Sequence, residues 1–119
     1  MKTSLIITTI NKLNKNLFSI VNSCNKNNLN LVIIGDKKTP KNFKINYGKY
    51  LNLNSQKKLN FNFAKICPEN NYARKNIGYL VSFNNSDFII ETDDDNIPKK
   101  KFYNKITLFH NVKTIKNNF

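Results

Sequence analysis

The chain has 119 residues, a formal net charge of +13 and a hydrophobic fraction of 39%, which together predict one domain, residues 1–119, around a single core. Its 19 lysines and 24 asparagines accompany a single arginine, whereas selection for phosphate or base recognition favours arginine because the planar guanidinium binds bidentately. The charge attracts polyanions, but with this composition it is only weak evidence for nucleic-acid binding.

The cysteines and the amino terminus bear on the compartment. Cys24 and Cys67 lie outside any Cys-x-x-Cys or Cys/His spacing, which favours two small buried apolar residues over a disulfide or a metal site. A reducing compartment, the cytoplasm, is therefore expected. The apolar run in the opening MKTSLIITTINK is too short and too β-branched for a signal peptide. No segment reaches the roughly twenty apolar residues of a membrane span.

The first 35 residues predict a strand, a helix and a second strand. Residues 4–10 (SLIITTI) are a continuous β-branched run, typical of a strand buried on both faces. The helix that follows carries apolar residues at helical spacing, namely Leu13, Leu17, Ile20, Val21 and Cys24. It ends at the asparagines of residues 25–28, and residues 29–35 (LNLVIIG) form the second strand. Such a βαβ unit implies parallel strands and a right-handed crossover.

The middle of the chain predicts less regular structure. Residues 36–49 are a polar loop, and residues 50–53 (YLNL) are a short edge strand. A short helix is then indicated by the apolar residues Leu59, Phe63 and Ile66. It ends before Pro68, because the residue that precedes a proline is biased away from helical geometry.

A second helix and a third strand follow. Asn70 or Asn71 caps a helix over residues 72–85, whose apolar face consists of Ala73, Ile77, Leu80 and Val81. Residues 86–92 (SDFIIET) form a third buried strand, and the tail after Pro98 is expected to be helical through Phe102, Ile106 and Phe109. This order of elements predicts an α/β fold, with a Rossmann-like, mainly parallel sheet in a three-layer αβα arrangement.

An acidic segment, Asp93 to Asp95, follows the third predicted strand. Residues 88–98 (FIIETDDDNIP) hold four of the seven acidic residues of this basic chain. In open α/β sheets, ligands bind beyond the carboxyl ends of the parallel strands. Three such ends carry polar residues here: Thr8 and Thr9 at the first, Asp36 at the second and the acidic segment at the third. The acidic segment is therefore predicted to lie in a ligand site.

The acidic segment favours a divalent cation. Asp93 and Asp95 are two residues apart, so if the segment stays extended their side chains share one face and Asp94 lies on the other. Two converging carboxylates repel each other, and Mn²⁺ or Mg²⁺ relieves that repulsion. The ion would complete its shell with substrate phosphates and water, and would act as a Lewis acid on a diphosphate leaving group. The alternative is a solvated turn whose aspartates cap a following helix.

The ordered motifs resemble those of GT-A-fold glycosyltransferases. The stretch YARKNIGYLVSFNNSDFIIETDDDNIP is similar to the family-two pattern of an ARN-x-G helix start, an apolar strand and a DxD motif. The matching residues are Ala73, Arg74, Asn76 and Gly78, with Lys75 inserted among them, followed by the outer acids Asp93 and Asp95. With TTI and VIIGDKKTP upstream, the order and spacing resemble STELLO-type glycosyltransferases and their bacterial relatives over residues 1 to about 100.

The resemblance implies a metal-dependent glycosyltransferase that uses a nucleotide-diphosphate sugar. The residues that it implies for nucleotide-sugar binding are Thr9, Asp36, Arg74, Asp93 and Asp94, and the implied ligands of Mn²⁺ or Mg²⁺ are Asp93 and Asp95. Thr9 and Asp36 stand where the family holds base and ribose, and Arg74 would contact base or phosphates and counterbalance the acidic segment. The structural alternatives are that Thr9 is an ordinary strand residue, that Asp36 caps a loop and that Arg74 is a surface residue of the helix.

The part of the chain after Asp95 departs from the family. It has 24 residues, no acid and, at His110, the only histidine of the chain, so no general base for an acceptor hydroxyl is identified. The expected protein is therefore a truncated donor-binding half, with a second chain as a candidate for completing its open sheet. The alternatives are an inactive nucleotide-sugar-binding fragment or partner subunit, and a basic nucleic-acid-binding module.

Overall fold

The computed structural model of the protein describes residues 2–104. Its strands are β1 (Thr3–Thr9), β2 (Asn30–Gly35), β3 (Lys49–Leu51) and β4 (Phe88–Glu91). Its helices are α1 (Lys15–Lys26), α2 (Leu53–Lys57), α3 (Asn62–Ile66) and α4 (Lys75–Phe83), with 3-10 turns at Tyr72–Arg74 and Lys100–Tyr103. The strands form one parallel sheet in the order β3–β2–β1–β4. The predicted α/β fold with a parallel sheet is confirmed.

The central strands β1 and β2 are buried on both faces because helices cover both faces of the sheet. One face buries Leu5, Ile7, Leu31 and Ile33 in a cluster with α1. The other face buries Ile6, Val32 and Ile34 in a cluster with residues of α3 and α4. Alternate residues of a strand point to opposite faces, so the middle of a strand between two helical layers buries apolar side chains at consecutive positions. This is why residues 5–7 of β1 and 31–34 of β2 appear in the sequence as continuous apolar runs.

Helix α1 forms where its apolar spacing predicts it. Asn14 caps the helix, since its side chain accepts a hydrogen bond from the backbone N–H of Leu17 over 2.8 Å. The buried face consists of the predicted residues Leu17, Ile20, Val21 and Cys24. Leu13 lies before the helix and packs, partly buried, against the same cluster. The crossover from β1 to β2 thus places α1 on one face of the sheet.

Burial of Cys24 makes the stability of the fold sensitive to alkaline pH. Burial raises the pKa of the Cys24 thiol from 9.0 to about 12, so above pH 9 the unfolded state loses this proton and the native state retains it. The contribution of the protonated Cys24 thiol to the free energy of unfolding is fully present below pH 9. Above pH 9 it declines by up to about 1.4 kcal/mol per pH unit. Urea unfolding between pH 8 and 11 measures this decline. Cys24→Ala should show a shallower decline, and parallel curves for the two proteins would contradict the prediction.

Helix α4 packs closely on the opposite face of the sheet. Its buried residues are Ile77, Gly78 and Ser82, whereas Ala73, Leu80 and Val81 of the predicted apolar face are only partly buried. A Cβ atom at position 78 would overlap Cγ2 of Ile6 and approach Cγ1 of Ile34 to 3.3 Å. The glycine of the ARKNIG motif therefore serves the close approach of helix and sheet.

Gly78→Ala is expected to lower the free energy of unfolding by about 1–3 kcal/mol, because the new methyl group displaces Ile6 or the helix in a filled core. The higher helix propensity of alanine, worth up to about 1 kcal/mol, offsets part of this loss. Asn76→Ala, at an exposed position of the same helix, is the matched control and should be neutral or stabilising. Urea unfolding compares the variants, and a Gly78→Ala protein as stable as the wild type contradicts the close approach.

The outer elements depart from the predictions in burial. The third strand forms as β4, but the prediction that it is buried is wrong: Phe88, Ile89 and Ile90 are only partly buried. Among residues 2–104, β4 pairs with β1 alone, and the helices of the described chain lie mainly over the two central strands. The predicted edge strand forms as β3 and pairs with β2, but it ends at Leu51, and Leu53 of the predicted strand begins helix α2.

The short helix before Pro68 and the tail differ in detail from what the sequence predicts. Helix α3 begins at Asn62, so Leu59 lies before it. The helix buries Ala64, whereas Ile66 is 77% exposed. In the tail, Tyr103 is buried in the 3-10 turn after Pro98, while Ile106, Phe109 and His110 lie outside the described residues. Between residues 2 and 104, none of the helices has both the length and the apolar character needed to cross a bilayer.

A candidate ligand cleft at the carboxyl edge of the sheet

A cleft of about 420 Å³ opens at the carboxyl ends of the parallel strands. All the residues selected from the sequence line it: Thr9, Asp36, Arg74, Asp93, Asp94 and Asp95. The remaining lining residues are Thr8, Ile10, Asn70, Asn71 and Tyr72. The residues converge because parallel strands end at one edge of the sheet, where the loops that follow them meet.

The acidic segment forms a turn. The amide of Asn96 donates a hydrogen bond to the carbonyl of Asp93 over 3.2 Å, so Asp94 and Asp95 are the central residues of a four-residue turn. The segment does not stay extended, so the condition under which Asp93 and Asp95 would share one face is not met, because the pairing of β4 with β1 ends at Glu91. Asp93 and Asp95 are exposed and Asp94 is partly buried.

Asp94 attaches this turn to the end of β1. Its Oδ2 atom accepts hydrogen bonds from the hydroxyl of Thr9 and from Nδ2 of Asn11, the latter over 2.9 Å. Its backbone carbonyl accepts from Nδ2 of Asn16 over 2.8 Å. Thr9 and Asp94, both expected at the nucleotide sugar, therefore hydrogen-bond to each other and hold the acidic segment beside the first strand.

Within the part of the chain that the structure describes, Lys75 is the cation that pairs with the acidic segment. Its Nζ atom lies 3.0 Å from Oδ1 of Asp93, whereas Arg74 was expected to provide the balancing charge. The side chain of Asp93 is 60% exposed, so solvent screens the pair and it adds little to stability. The contact does bring the amino-terminal end of α4 next to the acidic segment.

Asp36, at the end of β2, hydrogen-bonds to the loop of Asn70 and Asn71, which lines another side of the cleft. Its Oδ1 atom accepts from the backbone N–H groups of Lys37 over 2.7 Å and of Asn70 over 2.8 Å, and its Oδ2 atom accepts from Asn71 over 3.3 Å. Asn70 has a φ of 52°, a left-handed conformation that asparagine tolerates better than most residues. Because a carboxylate accepts about four hydrogen bonds, Asp36 retains capacity for about one more.

Arg74 is buried, with 2% of its surface exposed. Its Nε and Nη2 atoms both donate to Oε1 of Gln56, and Nη1 donates to the carbonyls of Cys67 and Pro68 over 2.9 and 3.3 Å. Burial raises the pKa of the neighbouring Cys67 thiol, and the guanidinium opposes that rise. All these acceptors of Arg74 are neutral, so the guanidinium places a buried positive charge beneath the cleft.

Gln56 is the structural residue that the sequence patterns did not reveal. It is fully buried, and its Nε2 atom donates to the carbonyls of Gly35 and Leu51 over 2.8 and 2.7 Å. Through Arg74 it links the ends of β2 and β3 to α4. The sequence feature that could have drawn attention to Gln56 is its rarity, since it is the only glutamine in the chain, as Arg74 is the only arginine.

The donor set suits an ion that shares its shell with a ligand. Asp93 and Asp95 offer exposed carboxylate oxygens, the chemistry that Mg²⁺ and Mn²⁺ prefer, and an ion at Asp93 would displace Lys75. Between residues 2 and 104, no cluster of three or more His, Cys, Asp or Glu side chains is arranged to hold a metal. An ion at Asp93 and Asp95 would therefore need further oxygen ligands, from a bound ligand or from water.

Comparison with known proteins adds no family assignment. A scan against protein-family models gives no match, and a search of curated proteins gives none either. The geometry of the cleft and the order of motifs along the chain are therefore the observations from which a function is inferred.

Proposed function

We propose that the protein binds a nucleotide-diphosphate sugar together with Mn²⁺ or Mg²⁺ in this cleft, as the donor-binding half of a metal-dependent glycosyltransferase. The observation that carries the proposal is the convergence of the six selected residues on one cleft. They belong to four separate parts of the chain: the end of β1, the end of β2, the start of α4 and the turn after β4. This edge of a parallel sheet is where α/β proteins bind nucleotides.

The charge of the cleft supports a metal-bound diphosphate. Four carboxylates and one guanidinium line the cleft, a formal charge of −3 within a chain of +13. This lining repels a free diphosphate, but it attracts a divalent cation. Once bound by Asp93 and Asp95, the cation would offer its open positions to phosphate oxygens. Diphosphate binding in this cleft is therefore expected to require the metal.

Two further features favour the diphosphate once the metal is bound. The amino-terminal end of α4 lies beside the acidic segment, and this end of a helix carries a partial positive charge. The buried guanidinium of Arg74 adds a fixed positive charge beneath the same cleft. When bound, the metal would supply Lewis-acid stabilisation to a departing diphosphate.

The same geometry serves a protein that binds the donor without transferring the sugar, so transfer has to be measured separately. A second chain that completes the sheet beside β4, the outer strand of the part that the structure describes, belongs to the same proposal. A cytoplasmic location is proposed from the two buried free thiols, Cys24 and Cys67.

Isothermal titration with UDP, GDP and CDP sugars, with and without Mn²⁺, tests the proposal. Heat of binding is expected only when Mn²⁺ is present. Release of nucleoside diphosphate from the bound donor, with an acceptor mixture and without one, then distinguishes a transferase from a binding protein. Salt-sensitive RNA binding without any response to the sugar nucleotides contradicts the proposal and favours a nucleic-acid-binding module.

A further inference from the structure

We infer that Tyr72 is the platform on which the base of the nucleotide stacks, an inference that rests on the proposed function. Tyr72 lines the cleft and is 96% exposed. The other large apolar residues that are exposed between residues 2 and 104 lie outside the cleft, with the exception of Ile10. An aromatic ring left in water at the mouth of a cleft offers apolar area and a π-face to a ligand.

The backbone that carries Tyr72 is fixed on both sides. Before it, the amides of Asn70 and Asn71 donate to the carboxylate of Asp36. After it, Arg74 is anchored below by hydrogen bonds to Gln56 and to two carbonyls. A ligand that stacks on Tyr72 therefore orders one side chain and leaves the loop unchanged. Such preorganisation reduces the entropy lost on binding.

The base is the part of the ligand that this ring fits. The diphosphate is drawn to the metal at Asp93 and Asp95, and a phenol ring offers it no positive charge. Asp36 has about one free acceptor position left, so it cannot read several polar atoms of a base edge. Stacking requires no such reading, because every base presents a π-face.

This arrangement has a consequence for specificity. If stacking on Tyr72 provides most of the affinity for the base, discrimination among bases is weak. We expect the affinities for UDP and GDP to lie within about tenfold of each other, which corresponds to a difference of about 1.4 kcal/mol in stacking. The larger purine of GDP should bind at least as tightly as the pyrimidine of UDP.

The test compares nucleoside diphosphates with a ligand that has no base. Isothermal titration in Mn²⁺ measures UDP, GDP and inorganic pyrophosphate on the full chain and on three variants: Tyr72→Ala, Tyr72→Phe and Phe83→Ala. Phe83 is the matched control, because it is 75% exposed and lies at the far end of α4, about 12 Å along the helix from Lys75. Thermal unfolding without ligand verifies that each variant is folded.

The expected pattern is specific to the base. Tyr72→Ala should weaken UDP and GDP about tenfold to a hundredfold and leave pyrophosphate within twofold of the wild type. Tyr72→Phe and Phe83→Ala should leave all three ligands within about threefold. Equal weakening of pyrophosphate, or no change for UDP and GDP, overturns the role of Tyr72 while the proposed function stands. A wild type that binds none of the three with Mn²⁺ overturns both.

Discussion

Replacement of Arg74 by lysine is expected to lower the free energy of unfolding by about 3–5 kcal/mol, although the formal charge stays the same, because two or more buried acceptors lose their partner. The guanidinium donates from three nitrogens to Gln56 and to two backbone carbonyls. A lysine has one flexible ammonium group and cannot reproduce this planar fork. Buried acceptors are left without a partner, each at about 1–3 kcal/mol, and the ammonium itself is poorly solvated.

Urea unfolding measures this effect. Lys75→Arg is the matched control, because it makes the reverse exchange at the adjacent, more exposed position and should change stability by less than about 0.5 kcal/mol. A domain of this size is stable by about 5–15 kcal/mol, so a largely unfolded Arg74→Lys protein also agrees with the prediction. A loss below 1 kcal/mol would show that the network does not support the cleft.

A double-mutant cycle isolates the contact between Gln56 and Arg74. The variants Gln56→Leu, Arg74→Met and their combination should be non-additive, with the double variant less destabilised than the sum of the single ones. The reason is that each single variant leaves the other polar side chain buried without its partner, whereas the double variant removes both. Additive losses would contradict direct coupling of the two side chains.

Asp95→Asn is expected to weaken Mn²⁺-dependent binding of a nucleoside diphosphate by at least about 100-fold. Residues that only support a metal ligand already contribute about 10–100-fold to affinity, and Asp95 is proposed as a direct ligand. Titration of UDP in the presence of Mn²⁺ measures the change. Because Asp95 is exposed among other carboxylates, its neutralisation relieves repulsion, and the thermal midpoint without ligand should be unchanged or slightly higher.

Glu91→Gln is the control for Asp95→Asn. It removes the same charge from an exposed position at the end of β4, outside the residues that line the cleft. UDP affinity should stay within about threefold of the wild type, since Glu91 does not line the cleft and is not one of the proposed ligands of the ion. Equal effects of the two variants would point to a general charge effect and would remove Asp95 from the proposed metal site.

Most elements of the fold were predictable from the sequence, although helix α2 (Leu53–Lys57) was not. The continuous apolar runs of β1 and β2 and the helical spacing of Leu17, Ile20 and Cys24 are local patterns, and each follows from which faces of an element are buried. Burial at the periphery was less predictable, because it depends on which helix covers a strand. The half-buried Phe88 and the exposed Ile66 are examples.

The location of the candidate site was also predictable, because chain order implies it. Parallel strands joined by crossovers bring their carboxyl ends to one edge, so polar residues after β1, β2 and β4 had to meet there. The presence of Thr9, Asp36 and the acidic segment at the cleft follows from that topology. Tyr72 escaped prediction because exposure of a single aromatic residue leaves no periodic pattern in a sequence.

The sequence by itself determined the parallel α/β arrangement and the edge at which Thr9, Asp36 and the acidic segment meet, since periodicity and strand order are properties of the chain. Only the tertiary structure decided what each polar side chain binds. Arg74 binds the amide oxygen of Gln56, and Asp94 binds Thr9. A hydrogen bond requires about 3 Å and a suitable angle between atoms that lie far apart in the sequence. Those partners are selected by packing, which leaves the side chains of Asp93 and Asp95 exposed.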